Sequence, residues 1–155
     1  MKHYFEPKSS VDWSGVRILS PVQGTLAMTR DDFAGKQLLI TAAANPAFTF
    51  IIFHVNPAVS LTPGTVYAAG QSLGTHTGSQ TMSDIAVGVN TPSGYRLVSW
   101  FDAMSDVVFQ AYAARGLSAR SDAILSRSAR DADPLTCNGD TFTRAGALPV
   151  WVTLR

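Results

Sequence analysis

The apolar positions of this chain change period once. Up to residue 100 they fall in short runs, often alternating with polar residues and each closed by Pro, Gly or Asn; from Phe101 they recur at helical spacing. "VRILSPVQGTLAMT" (16–29) predicts two short strands broken at Pro21 and Gly24, "DDFAG" (31–35) a turn, and "KQLLITAA" (36–43) a strand. "AFTFIIFHV" (47–55) is rich in aromatic and β-branched residues and predicts a further strand. Strict alternation puts Phe48, Phe50, Ile52 and His54 on one face and Thr49, Ile51, Phe53 and Val55 on the other. Residues 56–74 carry Pro57, Pro63, Gly64, Gly70 and Gly74 and predict tight turns with very short strands.

"GTHTGSQTMSDIAVGV" (74–89) reads as a small polar loop feeding a strand, with Asp84, Ala86 and Gly88 on one face and Ile85, Val87 and Val89 on the other. "NTPSG" (90–94) is a hairpin signal and "YRLVSW" (95–100) the returning strand. Beyond it, Phe101, Met104, Val108, Ala111 and Tyr112 predict a helix ending near Gly116. "SARSDAILSRSARDADP" predicts a second helix, capped by Ser118 or Ser121 and stopping before Pro134. A coil containing Cys137 and Gly139 follows, and "LPVWVTL" (148–154) predicts a final strand. Two Gly-Thr segments, "PVQGTL" (21–26) and "TPGTVYAAG" (62–70), form a faint internal echo. The expected architecture is one mainly β domain over 1–155: an antiparallel β core at 16–100, a helical hairpin at 101–131, and a coil and strand at 132–155.

A length of 155 residues supports a core without staples. With 46% hydrophobic and 15% charged residues the chain is of globular, not disordered, composition. A net charge of +1 supplies no field for nucleic acid or an anionic membrane. The late arginines 115, 120, 127 and 130 are interleaved with Asp122, Asp131 and Asp133, as on a solvated helix face. The single Cys137 excludes an internal disulfide and any C-x-x-C site. "MKHYFEPKSS" lacks the apolar region of a signal peptide. As it reads the chain is soluble and cytoplasmic; cut from a longer exported chain, it would be extracytoplasmic.

Four stretches carry a resemblance: "SPVQGTL", "GKQLLITAAANPAFTFIIFHV", "LTPGTVYAAGQSLGTHTGS" and "DIAVGV". Over about residues 13–90 the chain resembles the core of the M23 (LytM/lysostaphin-type) metallopeptidases. The "A-A-G-Q-S-L-G" piece is its most specific part. The resemblance implies a β fold related to the barrel-sandwich hybrids of lipoyl carriers. In that family zinc is held by H-x-G-x-D and by the second His of H-x-H, while the other His of H-x-H, with the His of Y-x-H-L, assists the attacking water. Placed on this chain, H-x-G-x-D falls on "WSGVR", giving Trp13 and Arg17, and H-x-H falls on "DIA", giving Asp84 and Ala86; only His54 keeps the family identity. Indole, guanidinium and methyl groups do not bind zinc, so the expectation is no metal, no cofactor and no zinc peptidase activity.

Two readings of the replaced site stay open. In one, Arg17 and Asp84 form an ion pair where metal once pinned two strands. In the other, Asp84 orients His54 as a general base, with Ser79, Ser83 or water as nucleophile and the amides of loop 74–79 as oxyanion donors. His76 is expected at the loop rim, solvated or touching ligand, and His3 near a mobile terminus. Asp31 and Asp32 read as a turn pair. Tyr4, Phe5, Trp13, Tyr67 and Trp100 either line a groove or fill the core.

Three functions follow. The first is a catalytically silent domain binding a peptide, a cell-wall fragment or a protein partner in a groove bordered by Trp13, Arg17, His54, His76, Ser79, Ser83 and Asp84. The second is a metal-independent hydrolase or lyase using His54 and Asp84. The third is an accessory assembly module acting through the helical hairpin. Neither nucleic acid nor membrane is an expected partner, and the oligomeric state is left open.

Overall fold

The computed structural model describes residues 2–134, 136–138, 141–144 and 152–155. The chain divides into two units, Met1–Trp100 and Phe101–Arg155, at the point where the hydrophobic period changes. The first unit is a mainly β structure of nine strands: β1 (Lys2–Phe5), β2 (Arg17–Leu19), β3 (Gly24–Asp31), β4 (Lys36–Ala42), β5 (Phe48–Pro57), β6 (Val66–Tyr67), β7 (Ser72–His76), β8 (Ser83–Thr91) and β9 (Gly94–Val98). A 3-10 turn at Trp13–Gly15 precedes β2, with the Asp12 carboxylate accepting from the Ser14 N–H. The strands form one antiparallel sheet in the order β1-β8-β5-β4-β3-β6, with β9 beside β8 and β7 bridging β5 and β2.

Register explains which face is buried. Leu26, Ile40, Phe50, Val87 and Val98 lie opposite one another in turn across five strands. Leu38, Ile52, Ile85 and His3 form the next row. The apolar members of these rows other than Val98 are the buried core, with Val55, Leu73, Tyr67 and Trp100. Each such side chain contributes about 1.5–3 kcal/mol on burial. Trp100 meets Phe50 edge to face at 5.9 Å. The opposite face carries Met28, Leu39, Ile51 and Ala86 in a matching row and is less buried.

The two Gly-Thr segments of the sequence are neighbours in space. Thr25 of β3 pairs with Val66 of β6, and Gly64 and Thr65 bond the main chain of Leu26. The terminus around His3, expected to be mobile, is instead strand β1. His3 is buried, with Nε2 3.1 Å from Ser99 Oγ.

The second unit corrects the expected helical hairpin. Its described elements are short: α1 (Trp100–Ala103) begins at the boundary, and α2 (Asp106–Ala113), a 3-10 turn (Arg120–Ala123) and α3 (Arg127–Ala132) follow. Serine explains the breaks. Ser105 and Ser126 each accept from a main-chain N–H three residues on, so each starts a new helix where the periodicity predicted continuation. Arg120 donates to the Phe101 and Met104 carbonyls and, at 2.7 Å, to Asp106. The expected coil around Cys137 holds a short hairpin, β10 (Thr136–Asn138) with β11 (Thr141–Arg144). Of the predicted final strand, 148–151 lie outside the described residues, and 152–154 have no regular structure.

Candidate functional site

Strand β5 does not alternate to its end. Leu38 opposes Ile52 and Lys36 opposes Val55, so Gln37 faces two residues, Phe53 and His54. This is a β-bulge, and His54 sits in it with φ +57°, the one described non-glycine residue at positive φ. The bulge turns His54 away from the core face shared by Phe50 and Ile52, the face on which alternation had placed it. Its ring arrives beside Asp84, on the face of β8 shared with Ala86.

Opposite the bulge the partner line is interrupted. β7 pairs with β5 as far as His76 against Val55, and β8 resumes at Ile85 against Ile52. β7 and β8 are thus one strand line with the polar loop 77–82 looped out of it beside His54. The 32–35 turn packs against the same place: a Cβ on Gly35 would lie 2.4 Å from Thr77 Cγ2 and 2.7 Å from the Val55 carbonyl.

His54 and Asp84 are each only 3% exposed, and their nitrogens and one oxygen are occupied internally. His54 Nδ1 donates to the Ala34 carbonyl at 3.0 Å and lies 3.7 Å from Asp32 Oδ2. His54 Nε2 is 3.3 Å from Asp84 Oδ2. The same carboxylate oxygen holds Lys2 Nζ at 2.7 Å, and that ammonium stands over the Phe53 ring at 4.1 Å. Asp84 Oδ1 is buried with no hydrogen-bond partner among the described residues. Burial pushes the Asp32 carboxyl up, but hydrogen bonds from Gln37 and the Phe33 N–H, with the charges of His54 and Lys2, hold it below the usual carboxylate value. Phe33, 78% exposed, covers the His54 ring edge to face at 5.0 Å.

The other sequence-predicted residues separate from this cluster. Arg17 is exposed on β2 opposite Thr75 and makes no ion pair with Asp84; Lys2 takes the place expected for it. An exposed guanidinium has no reason to leave water, whereas the strand pairing of β1 with β8 delivers Lys2 to the carboxylate. Trp13 meets His76, not His54, edge to face at 5.9 Å. His76 is fully buried rather than solvated; its Nδ1 accepts from the Gly78 N–H at 3.2 Å, and its Nε2 has no partner among the described residues. Ser79 is exposed in the loop and Ser83 half-buried at the start of β8; neither hydroxyl hydrogen-bonds to His54 or Asp84. Tyr67 and Trp100 are core, and Tyr4 is exposed.

Lys2 was missed by the sequence reading. The β-prone aromatic pair Tyr4 and Phe5 in "KHYF" was the available signal for a strand there. A groove of about 590 Å3 lies elsewhere, lined by Thr29, Lys36 and the Pro57–Leu61 segment. Among the described residues no group of three or more His, Cys, Asp or Glu is placed to hold a metal ion, and no helix is long and apolar enough to cross a membrane. No protein-family model, curated protein or solved structure matches this chain.

Proposed function

We propose that this chain is a catalytically silent, M23-like binding domain that holds an extended peptide, a cell-wall fragment or a protein segment. A barrel-sandwich-hybrid form of its β core belongs to the same reading. One observation carries it: the charged cluster built around His54 is enclosed, with both His54 nitrogens and one Asp84 oxygen spent on internal partners. A general base needs reach to a substrate proton, and this imidazole has none to spare. The cluster serves as a clamp joining β1, β5, β8 and the 32–35 turn. Binding then falls to the accessible strand edges and the groove. Pull-down on peptidoglycan sacculi and on immobilised extended peptides tests this reading. Retention on either supports it, and retention on neither, or turnover in an ester, amide and lyase screen, overturns it.

Two observations favour a second reading, the metal-independent hydrolase or lyase. His54 holds a strained backbone, of the kind that concentrates at functional sites, and Asp84 Oδ1 has no partner among the described residues. An activity abolished by His54→Ala and untouched by chelators would establish it.

A further inference from the structure

The turn between β3 and β4 closes on a bonded pair, with the Asp32 N–H donating to the Gly35 carbonyl at 3.0 Å. Bonded and non-bonded pairs alternate from there along an antiparallel ladder. Asp31–Lys36 and Thr29–Leu38 are therefore non-bonded pairs. The main-chain N–H and C=O of Asp31 and Thr29 point away from β4, off the edge of the sheet. β6 pairs with β3 only at Gly24 and Thr25, and the main-chain bonds of Gly64 and Thr65 end at Leu26. Among the described residues no main-chain bond meets Thr29 or Asp31 on the open side.

The chain that would continue β6 along this edge is diverted. Pro57 and Pro63 lack the N–H a paired strand needs, and between them the segment stands off. The space left is the groove of about 590 Å3 that Thr29 helps to line, a size typical of ligand sites. One wall is the Pro57–Leu61 segment, which presents the apolar Pro57, Ala58, Val59 and Leu61 together with Ser60, and Val59 is 68% exposed. Its charge is Lys36. That ammonium rests on Asp31, whose side chain is 87% exposed, and such surface pairs are weak. Arg30, exposed next to Asp31, lies on the opposite face with Met28 and rests its Nε on Met28 Sδ.

The far edge differs. The hairpin of β8 and β9 closes on Thr91–Gly94, so the Tyr95 carbonyl points off that edge. Arg96 covers it, donating to the Tyr95 carbonyl at 2.9 Å and to the Ser93 carbonyl at 3.1 Å. A charge laid over edge carbonyls blocks strand addition. Among the described residues no side chain bonds the outward main-chain groups of Thr29 or Asp31.

We infer that the open edge of β3 at Thr29–Asp31 takes an extended peptide as an added strand, with apolar side chains against Pro57–Leu61 and an acidic side chain on Lys36. This rests on the binding-domain reading and gives it a place and a ligand chemistry. Unpaired main-chain groups beside an apolar wall are what strand addition uses.

The test uses N-acetylated hexapeptides alternating valine with glutamate, serine or lysine, followed by fluorescence anisotropy and by amide hydrogen exchange. The valine–glutamate peptide is expected to bind tightest and to slow exchange at Thr29 and Asp31. Thr29→Pro removes an outward N–H while leaving the β4 ladder, and Val59→Asp charges the wall. Each is expected to weaken binding by at least about tenfold, the scale of one lost main-chain bond and its register. The exchange measurement on the unaltered protein decides the matter even if Thr29→Pro fails to fold. Slowed exchange on β9 or β1 instead, or equal binding of the lysine peptide, overturns the inference while leaving a binding domain. Failure of every hexapeptide overturns the inference, and sacculi retention then decides the broader reading separately.

Discussion

His54 reaches Asp84, Nε2 to Oδ2 at 3.3 Å, because its own backbone is left-handed at φ +57°. Without the bulge, alternation would hold the imidazole on the core face beside Ile52, on the other side of the sheet from the carboxylate. The contact is thus a property of backbone geometry as much as of side-chain chemistry. Its strain, of order 1–3 kcal/mol for such a residue, is offset by the Ala34, Asp32 and Asp84 contacts that the turned ring makes.

Removing the carboxylate separates clamp from bystander. Asp84→Ala leaves His54 Nε2 facing an emptied buried position and releases Lys2, whose side chain is 32% exposed, and is expected to cost about 1–3 kcal/mol. Urea unfolding measures it. A loss under about 1 kcal/mol would mean that the ion pair does not hold β1 and β5 to β8.

Substitutions at His54 report the strain. His54→Gly and His54→Ala both delete the ring, but glycine accepts positive φ freely. The glycine variant is expected to be more stable than the alanine variant by about 1 kcal/mol. Equal stabilities would argue that the bulge relaxes once the ring is gone.

Acid should weaken the fold through Asp32. Its carboxyl is held below the usual value in the folded chain, by hydrogen bonds and positive charge that outweigh burial. A depressed carboxyl contributes stability above its unfolded pKa, about 3.9, and loses it as pH falls through the lower folded value. Stability of the parent is expected to fall more steeply below about pH 4 than that of Asp32→Asn. Parallel acid profiles for the two proteins would remove Asp32 from the clamp.

Two glycines separate backbone freedom from space. At Gly74, φ +148°, an added Cβ would lie 2.1 Å from the Asn56 carbonyl oxygen; at Gly64, φ +93°, it meets nothing within 4 Å. Gly64→Ala is expected to cost about 1 kcal/mol through conformation alone. Gly74→Ala is expected to cost several times more, since strand backbones must part. Thermal unfolding ranks them, and the reverse order would contradict the β5–β7 pairing.

Arg96→Ala should expose the β9 edge. The variant is expected to show concentration-dependent mass in sedimentation where the parent shows less, because the Tyr95 carbonyl loses its cover. Unchanged sedimentation would leave Arg96 without a blocking role.

Much of the first unit was legible locally. The turns at 31–35 and 90–94, the strands at 36–43 and 47–55, and the change of period at Phe101 all rest on residue types acting over a few positions. The helices of the second unit were less so, because Ser105 and Ser126 could be read either as helix interior or as caps, and only their bonds to Val108 and Ala129 decide. The meeting of His54 and Asp84 was expected from the family resemblance, but their enclosure was not. Arg17 and Lys2 show why: each is a cation in a strand, and only register puts one of them against Asp84.

By itself, then, the sequence determined that this chain builds short antiparallel strands and where they turn, since proline, glycine and alternating apolar residues act through local backbone preferences. Tertiary structure alone decided the bulge at His54, the partner of Asp84, the burial of His76 and the open edge of β3. Those depend on which strands lie side by side and in what register, and a single residue slipped in or out of a ladder moves a side chain from one face of the sheet to the other.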